Sequence, residues 1–190
     1  MSLPWGSCPG ITLLAPVTTV AQAAAAAGAG AALVDAGRDG ALVPAIRRAV
    51  SGVRVCGQHE TADLMRDADL AARTGAALIC PGPDAAAAAV RRGVAAERIL
   101  LQAAPAGIEA VVRAGWPVLA DLEGLADLEG GADLGGAAGL ARAEAAAAIC
   151  AWLGASVLRT RHVAKVRRCA DMTESILGRR PPAWAVRGLA

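Results

Sequence analysis

The sequence predicts an α/β domain built on a parallel sheet, and three observations indicate this class. Short runs of Val, Leu and Ile alternate with alanine-rich stretches along most of the chain. The short runs are continuously apolar, as expected of strands that helices cover on both faces. Glycine follows several of the alanine-rich stretches, where a left-handed residue commonly ends a helix. The 190 residues are enough for one such domain.

Seven strand–helix units can be assigned in order, because strands show as short apolar runs and helices as longer runs of good helix formers. We predict strands at 11–17, 32–36, 53–56, 77–80, 99–102, 118–121 and 156–161. We predict helices at 19–27, 42–50, 61–73, 84–92, 106–113, 141–152 and 164–177. Thr61 and Asp84 have side chains suited to cap the third and fourth helices.

A closed barrel and an open, doubly wound sheet both satisfy this alternation. The first turn argues against a dinucleotide-binding sheet, because residues 15–19 read Ala-Pro-Val-Thr-Thr where that fold has GxGxxG. A full (β/α)₈ barrel usually takes about 250 residues, so a barrel here would be a trimmed one. We expect a single domain over 1–178, with a mobile loop within the low-complexity segment 121–140 and a tail at 179–190.

Composition narrows the function classes. The formal net charge is only +2, and no basic stripe is interleaved with aromatic residues, so we expect no nucleic-acid partner. The apolar runs are too short or too interrupted to span a membrane. The five cysteines are odd in number and form no CxxC pair, and the first ten residues carry no positive charge. We therefore expect a cytoplasmic protein with free thiols.

Residues 142–176, which read RAEAAAAICAWLGASVLRTRHVAKVRRCADMTESI, resemble the closing segment of dihydropteroate synthases. Further matches are AALVDAG at 31–37, GVAAERILLQ at 93–102 and WPVLADLEG at 116–124, in the family's order. The resemblance implies a TIM-barrel-like (β/α) fold with about seven βα units. That is one unit fewer than the family has, with the fifth strand absent between Cys80 and Gly93.

The resemblance also implies a function and its site residues. Dihydropteroate synthases, which act in folate biosynthesis, transfer a pterin-methyl group from its pyrophosphate ester to p-aminobenzoate. Cys56, Cys80 and Leu125 stand where the family has Asp, Asn and Lys. We therefore expect no catalytic residue, no metal and no cofactor, and a weakened pocket for a reduced pterin or a phosphate. The residues implied to bind substrate are Asp35, Gln102, Arg159, Arg161 and His162.

The residues themselves leave alternatives open. Arg159 and Arg161 are two apart on a strand, so both point to one side and could bind an anion, or they could be surface charges. Asp35 could contact a ligand or accept structural hydrogen bonds. Asp121 and Glu123 could form a carboxylate pair, but we favour the start of an acidic loop.

Other polar residues have weaker signals. Cys56 and Cys80 both end strands and could bind a metal with His59 or Glu60, but no tight spacing supports this, and buried Cys is usually a core residue. His59 and Glu60 could also be an acid and a base, although a solvated loop is the simpler interpretation.

Three hypotheses follow, and we favour the first. The chain could be a divergent or inactive dihydropteroate synthase-like protein. It could instead be a non-catalytic partner or scaffold that forms a homodimer through its last two helices. It could also be a different enzyme on the same barrel, because one fold hosts many chemistries.

Overall fold

Eight parallel strands close into a barrel in the computed structural model of the chain, which describes residues 10–123 and 137–180. Each strand pairs with the next in sequence, and the eighth pairs with the first. The strands are β1 Thr12–Pro16, β2 Leu33–Asp35, β3 Arg54–Cys56, β4 Leu64–Met65, β5 Ala77–Cys80, β6 Ile99–Gln102, β7 Val118–Asp121 and β8 Val157–Arg159. The expected TIM-barrel-like fold is confirmed.

Helices follow these strands, except between β3 and β4, which no helix separates. They are α1 Val20–Gly28, α2 Leu42–Ala49, α3 Ala68–Thr74, α4 Pro83–Arg91, α5 Pro105–Arg113, α6 Ala137–Trp152 and α7 Val163–Ile176, with a 3₁₀ turn at Ala96–Arg98. Side-chain caps begin two of them: Thr19 accepts a hydrogen bond from the backbone of Gln22, and Asp67 accepts one from Leu70. In the part of the chain that the structure describes, no helix is both long and apolar enough to cross a membrane.

The barrel has eight strands, so the expected count of seven was wrong. The additional strand, β4, lies inside the stretch 61–73 that we predicted as helix, and α3 begins only after Asp67. A strand of two residues is too short to show a period in the sequence, and only its pairing with β3 and β5 reveals it. No unit is lost after Cys80, because that residue ends the fifth strand. The predicted loop and tail lie outside the described residues, apart from 121–123, 137–140 and 179–180.

Two apolar layers fill the domain. One lies between the sheet and the helices and contains many alanines, and the other fills the barrel interior. The interior layer consists of Leu14, Leu33, Cys56, Leu64, Ala77, Ile79, Leu100, Leu119 and Val157. Side chains two apart on a strand share a face. Residues two positions after a member of this interior layer therefore also face inward, nearer the carboxyl end of the barrel. Those residues include Asp35, Gln102, Asp121 and Arg159.

Gly57 controls how closely α2 approaches the end of β3. A Cβ at this position would lie 2.6 Å from Cγ2 of Val43, which is buried on α2. We expect Gly57→Ala to lower the free energy of unfolding by about 1–3 kcal/mol, the usual cost of overpacking a core. Urea denaturation measures the change. Gly82→Ala is the matched control, because nothing lies within 4 Å of its added Cβ; equal losses in both variants would contradict this account.

Candidate functional site

Asp35 lies at the centre of a charged cluster at the carboxyl end of the barrel. It ends β2 and is only 3% exposed. Its Oδ1 accepts a hydrogen bond from the backbone N–H of Gly37 at 3.0 Å. Its Oδ2 accepts from Arg66 and from Arg159, both at 3.1 Å. Two guanidinium groups therefore share one buried carboxylate.

Arg159 joins Asp35 to a second carboxylate. Its Nε donates to Asp35, and its Nη1 donates to both oxygens of Asp121, at 3.2 and 3.1 Å. Asp121 ends β7, the neighbour of β8, which explains the short reach. Asp121 was expected to begin an acidic loop, but the structure places it in this cluster.

Arg66 belongs to the cluster and was missed by the sequence analysis. It follows β4 directly, and its Nη1 donates to Oδ1 of Asp35 at 3.4 Å and to Sγ of Cys56 at 3.6 Å. The sequence carried no signal for this role, because the residue lay within a predicted helix. Recognising the two-residue strand before it would have placed Arg66 at the barrel mouth.

A second ion pair lies beside the first. Nε of Arg161 is 2.5 Å from Oε2 of Glu123, and the backbone N–H of Arg161 donates to Oε1 at 2.8 Å. Thr160 also donates to that oxygen, at 3.4 Å, and accepts from the backbone of His162. Glu123 therefore holds the start of the loop between β8 and α7.

The pKa values of Asp35 and Cys56 in the cluster are both displaced. Burial raises the pKa of Asp35, but the nearby Arg66, the N–H of Gly37 and Arg159 outweigh this effect and hold the pKa below its usual value. Burial, together with the charge of Asp35, raises the pKa of Cys56 to about 12. The Cys56 thiol is therefore protonated at neutral pH and is a poor nucleophile.

A cavity of about 1000 Å³ opens beside this cluster, at the ends of β1, β2 and β8. Gln22, Ala25 and Ala26 of α1 form part of its wall. Arg38 and Lys165 line it, and neither has an ion pair within the described ranges. Four predicted site residues line it as well: Asp35, Arg159, Arg161 and His162. Gln102 does not; it is exposed at the end of β6.

The remaining candidates do not converge on one site. The ring of His59 contacts Thr61, with Nδ1 2.9 Å from Oγ1 and 3.1 Å from the backbone nitrogen. Glu60 is exposed in the same loop, and Cys80 is buried at the end of β5. Over residues 10–123 and 137–180, no three His, Cys, Asp or Glu side chains are grouped so that they could hold a metal ion.

Comparison with known proteins agrees with this architecture, although no family model matches the chain. The Mycobacterium tuberculosis protein named "Inactive dihydropteroate synthase 2" is 34% identical over 119 residues, 56% of this chain and 37% of that protein. Its Mycobacterium leprae counterpart is 36% identical over 83 residues, 44% of this chain and 28% of that protein. The matches thus span about a third of the length of these curated relatives.

Solved structures extend the likeness to most of the chain. Mycobacterium tuberculosis Rv1207 has a TM-score of 0.73 and 25% identity, covering 96% of this chain and all of that one. Yersinia pestis dihydropteroate synthase has a TM-score of 0.72 and 16% identity, covering 89% of this chain and 93% of that one. The predicted resemblance to dihydropteroate synthases is confirmed, and the chain shares their barrel fold.

The Asp35 cluster makes stability depend on acid. Because the pKa of folded Asp35 is lowered, its contribution is complete above the unfolded pKa, about 3.9, and is lost as the pH falls through the folded value. We expect Asp35→Asn to lower the free energy of unfolding by about 2–3 kcal/mol at pH 7, since two arginines lose a buried charged partner. Chemical denaturation from pH 7 to pH 3 measures this, and the difference between wild type and variant should shrink with acid. Glu60→Gln, in an exposed loop, is the control; a difference that grows with acid would contradict the assignment.

Proposed function

We propose that this chain is a catalytically inactive dihydropteroate synthase-like protein that keeps a weak pocket for a reduced pterin or a phosphate-containing small molecule. The observation that carries the proposal is that the carboxylate of Asp35 already has hydrogen-bond donors from the protein itself. Both of its oxygens already accept hydrogen bonds from the protein. The relatives named as inactive support the same conclusion.

Pterin recognition needs a carboxylate that accepts from the amino and N–H groups of the ring. Asp35 is buried and its oxygens are taken by Arg66, Arg159 and Gly37, so a pterin would have to displace one of them. Gln102 offers an amide oxygen, but a neutral acceptor makes a hydrogen bond roughly half as strong as a charged one. The structure therefore favours weak pterin binding.

Transfer chemistry also needs cations to stabilise the departing pyrophosphate. The arginines here are held by the protein's own carboxylates: Arg159 by Asp35 and Asp121, and Arg161 by Glu123. A leaving group would have to compete with these pairs. Arg38 and Lys165, at the rim of the cavity, can still attract an anion.

The cytoplasm remains our proposal for location. Burial raises the pKa of the Cys56, Cys80 and Cys150 thiols, and these three, like Cys169, are unpaired in the structure. Unpaired buried thiols suit a reducing compartment.

Calorimetric titration tests the pocket and turnover tests the activity. We expect pyrophosphate and a pterin pyrophosphate ester to bind saturably in the millimolar range, with no dihydropteroate formed from p-aminobenzoate. Lys165→Ala should weaken binding about three- to tenfold, since it removes an exposed rim cation. Arg91→Ala removes an equally exposed cation on α4, away from the cavity, and should leave binding unchanged. Product formation would overturn the inactive assignment, and absence of saturable binding would overturn the pocket.

A second candidate function, a homodimerising partner or scaffold, is favoured by exposed apolar side chains on the last two helices. Ile149 and Trp152 on α6, and Met172 and Ile176 on α7, are each between 54% and 66% exposed. Helices of a βα barrel run in one direction, so these C-terminal ends lie at the same end of the domain. Arg179, just beyond α7, donates to the carbonyl of Ala151 at 3.1 Å, which places the two ends side by side.

Sedimentation equilibrium tests this surface. We expect the wild-type chain to dimerise at micromolar concentration and Trp152→Lys to weaken association by about tenfold or more, because a buried aromatic side chain is typical of an interface centre. Val90→Lys, an exposed apolar residue on α4, is the matched control. A monomeric wild type, or equal weakening by both variants, would rule out this interface.

A further inference from the structure

A second cavity lies at the end of the barrel opposite the Asp35 cluster. Its volume is about 290 Å³. Arg54, Leu64 and Ala77 line it, and these are the first residues of β3, β4 and β5. The cavity therefore opens at the amino ends of three neighbouring strands, and it shares no lining residue with the mouth cavity.

The short β4 strand begins at this cavity. It pairs with β3 through Leu64 alone, whereas β5 pairs with β6 at three positions. The chain just before β4 is held by Asp63, whose backbone and side chain both bond to Val55. The cavity therefore lies where the pairing between β3 and β4 is limited to one position.

The cavity is strongly basic. Arg47, Arg54 and Arg98 line it, with Asp63 as the only acidic lining residue among those described, which leaves a formal charge of +2. Nη1 of Arg47 lies 2.8 Å from Oδ2 of Asp63, and this oxygen also accepts from the backbone of Val55. Asp63 is thus satisfied by the protein and holds Arg47 at the cavity wall.

Arg98 is held in place by Gly75. Its Nη1 donates to the carbonyl of Gly75 at 2.5 Å. Gly75 has a φ of +71° at the end of α3, and a Cβ there would lie 2.6 Å from Nη1 of Arg98. A glycine is therefore needed both for the backbone turn and for the approach of the guanidinium group.

We propose that this cavity binds a phosphate group, as free phosphate or as a phosphate monoester. A guanidinium carries five N–H donors in a planar fork that matches the oxygens of a phosphate. The contacts above use one donor of Arg47 and one of Arg98, so further donors stay available. A volume near 290 Å³ is at the lower limit of ligand pockets, which suits one phosphate group better than a nucleotide.

This site is independent of the pterin or phosphate pocket proposed at the mouth. It uses other residues, lies at the other end of the strands and requires no pterin chemistry. Arg98 also closes the end of α3 through Gly75, so a purely structural role must be separated from ligand binding. Two measurements on each variant separate these roles: its affinity for phosphate and its stability in the absence of phosphate.

Isothermal titration of the full chain with inorganic phosphate, and separately with glycerol phosphate, tests the proposal at low ionic strength. We expect a saturable site whose affinity falls about tenfold in Arg98→Ala, because a charge-assisted contact is lost. Arg98→Lys should recover little of the phosphate affinity, since an ammonium group lacks the planar, forked N–H donors of a guanidinium group. Tighter binding of the ester than of free phosphate would identify a phosphorylated molecule as the ligand, and the reverse order would identify the free ion.

Two control variants make the result specific. Arg113→Ala removes the same charge from the exposed surface of α5 and should leave the affinity unchanged. Lys165→Ala affects only the mouth cavity, so a loss of phosphate binding in that variant alone would assign the ion to the mouth instead. Lower stability of Arg98→Ala with unchanged phosphate affinity would overturn the proposal, as would equal weakening in Arg113→Ala. Arg54→Gln removes another guanidinium from the cavity lining and should also weaken phosphate binding.

Discussion

The buried carboxylate of Asp35 is the group on which the mouth of this barrel depends. A charge removed from water must be paired and hydrogen-bonded, or it destabilises the fold. Asp35 meets this requirement with Arg66 and Arg159, which come from beyond β4 and from β8. Arg159 then reaches Asp121 at the end of β7. One chain of ion pairs thus crosses the mouth and ties together strands that are not neighbours in the sheet.

The same pairing is the physical basis of the proposal that the chain is catalytically inactive. A transferase needs an acceptor for its substrate and cations for its leaving group, both available when the ligand arrives. Here the acceptors and the cations satisfy one another. The barrel keeps the shape of dihydropteroate synthases, with which it shares TM-scores of about 0.7, while its charged groups serve its own stability. Fold and function separate at the level of a few side-chain contacts.

The two ends of the barrel therefore differ in character. At the carboxyl end, three arginines face three carboxylates, and the only cations without a described ion pair at the cavity are those of the rim. At the amino end, three arginines line a small cavity with a single carboxylate. The positively charged residues of this cavity lie near the amino end of the short β4 strand. The proposed phosphate site is therefore separate from the mouth pocket that the resemblance indicated.

The sequence alone determined the α/β class and most element positions, because apolar runs are local properties. The resemblance implied five site residues, and four of them line the mouth cavity. It also named the last two helices as a dimer interface, which stays a prediction. Tertiary structure alone decided the strand count, because β4 has two residues and is defined only by its neighbours. It also decided which charged residues form ion pairs. Asp35 and Arg159 are 124 residues apart, and the closed barrel brings both of them together with Arg66. The local sequence pattern indicates which residues end strands. Which distant charged residues form ion pairs depends on how the strands close into a barrel, and no local pattern contains that information.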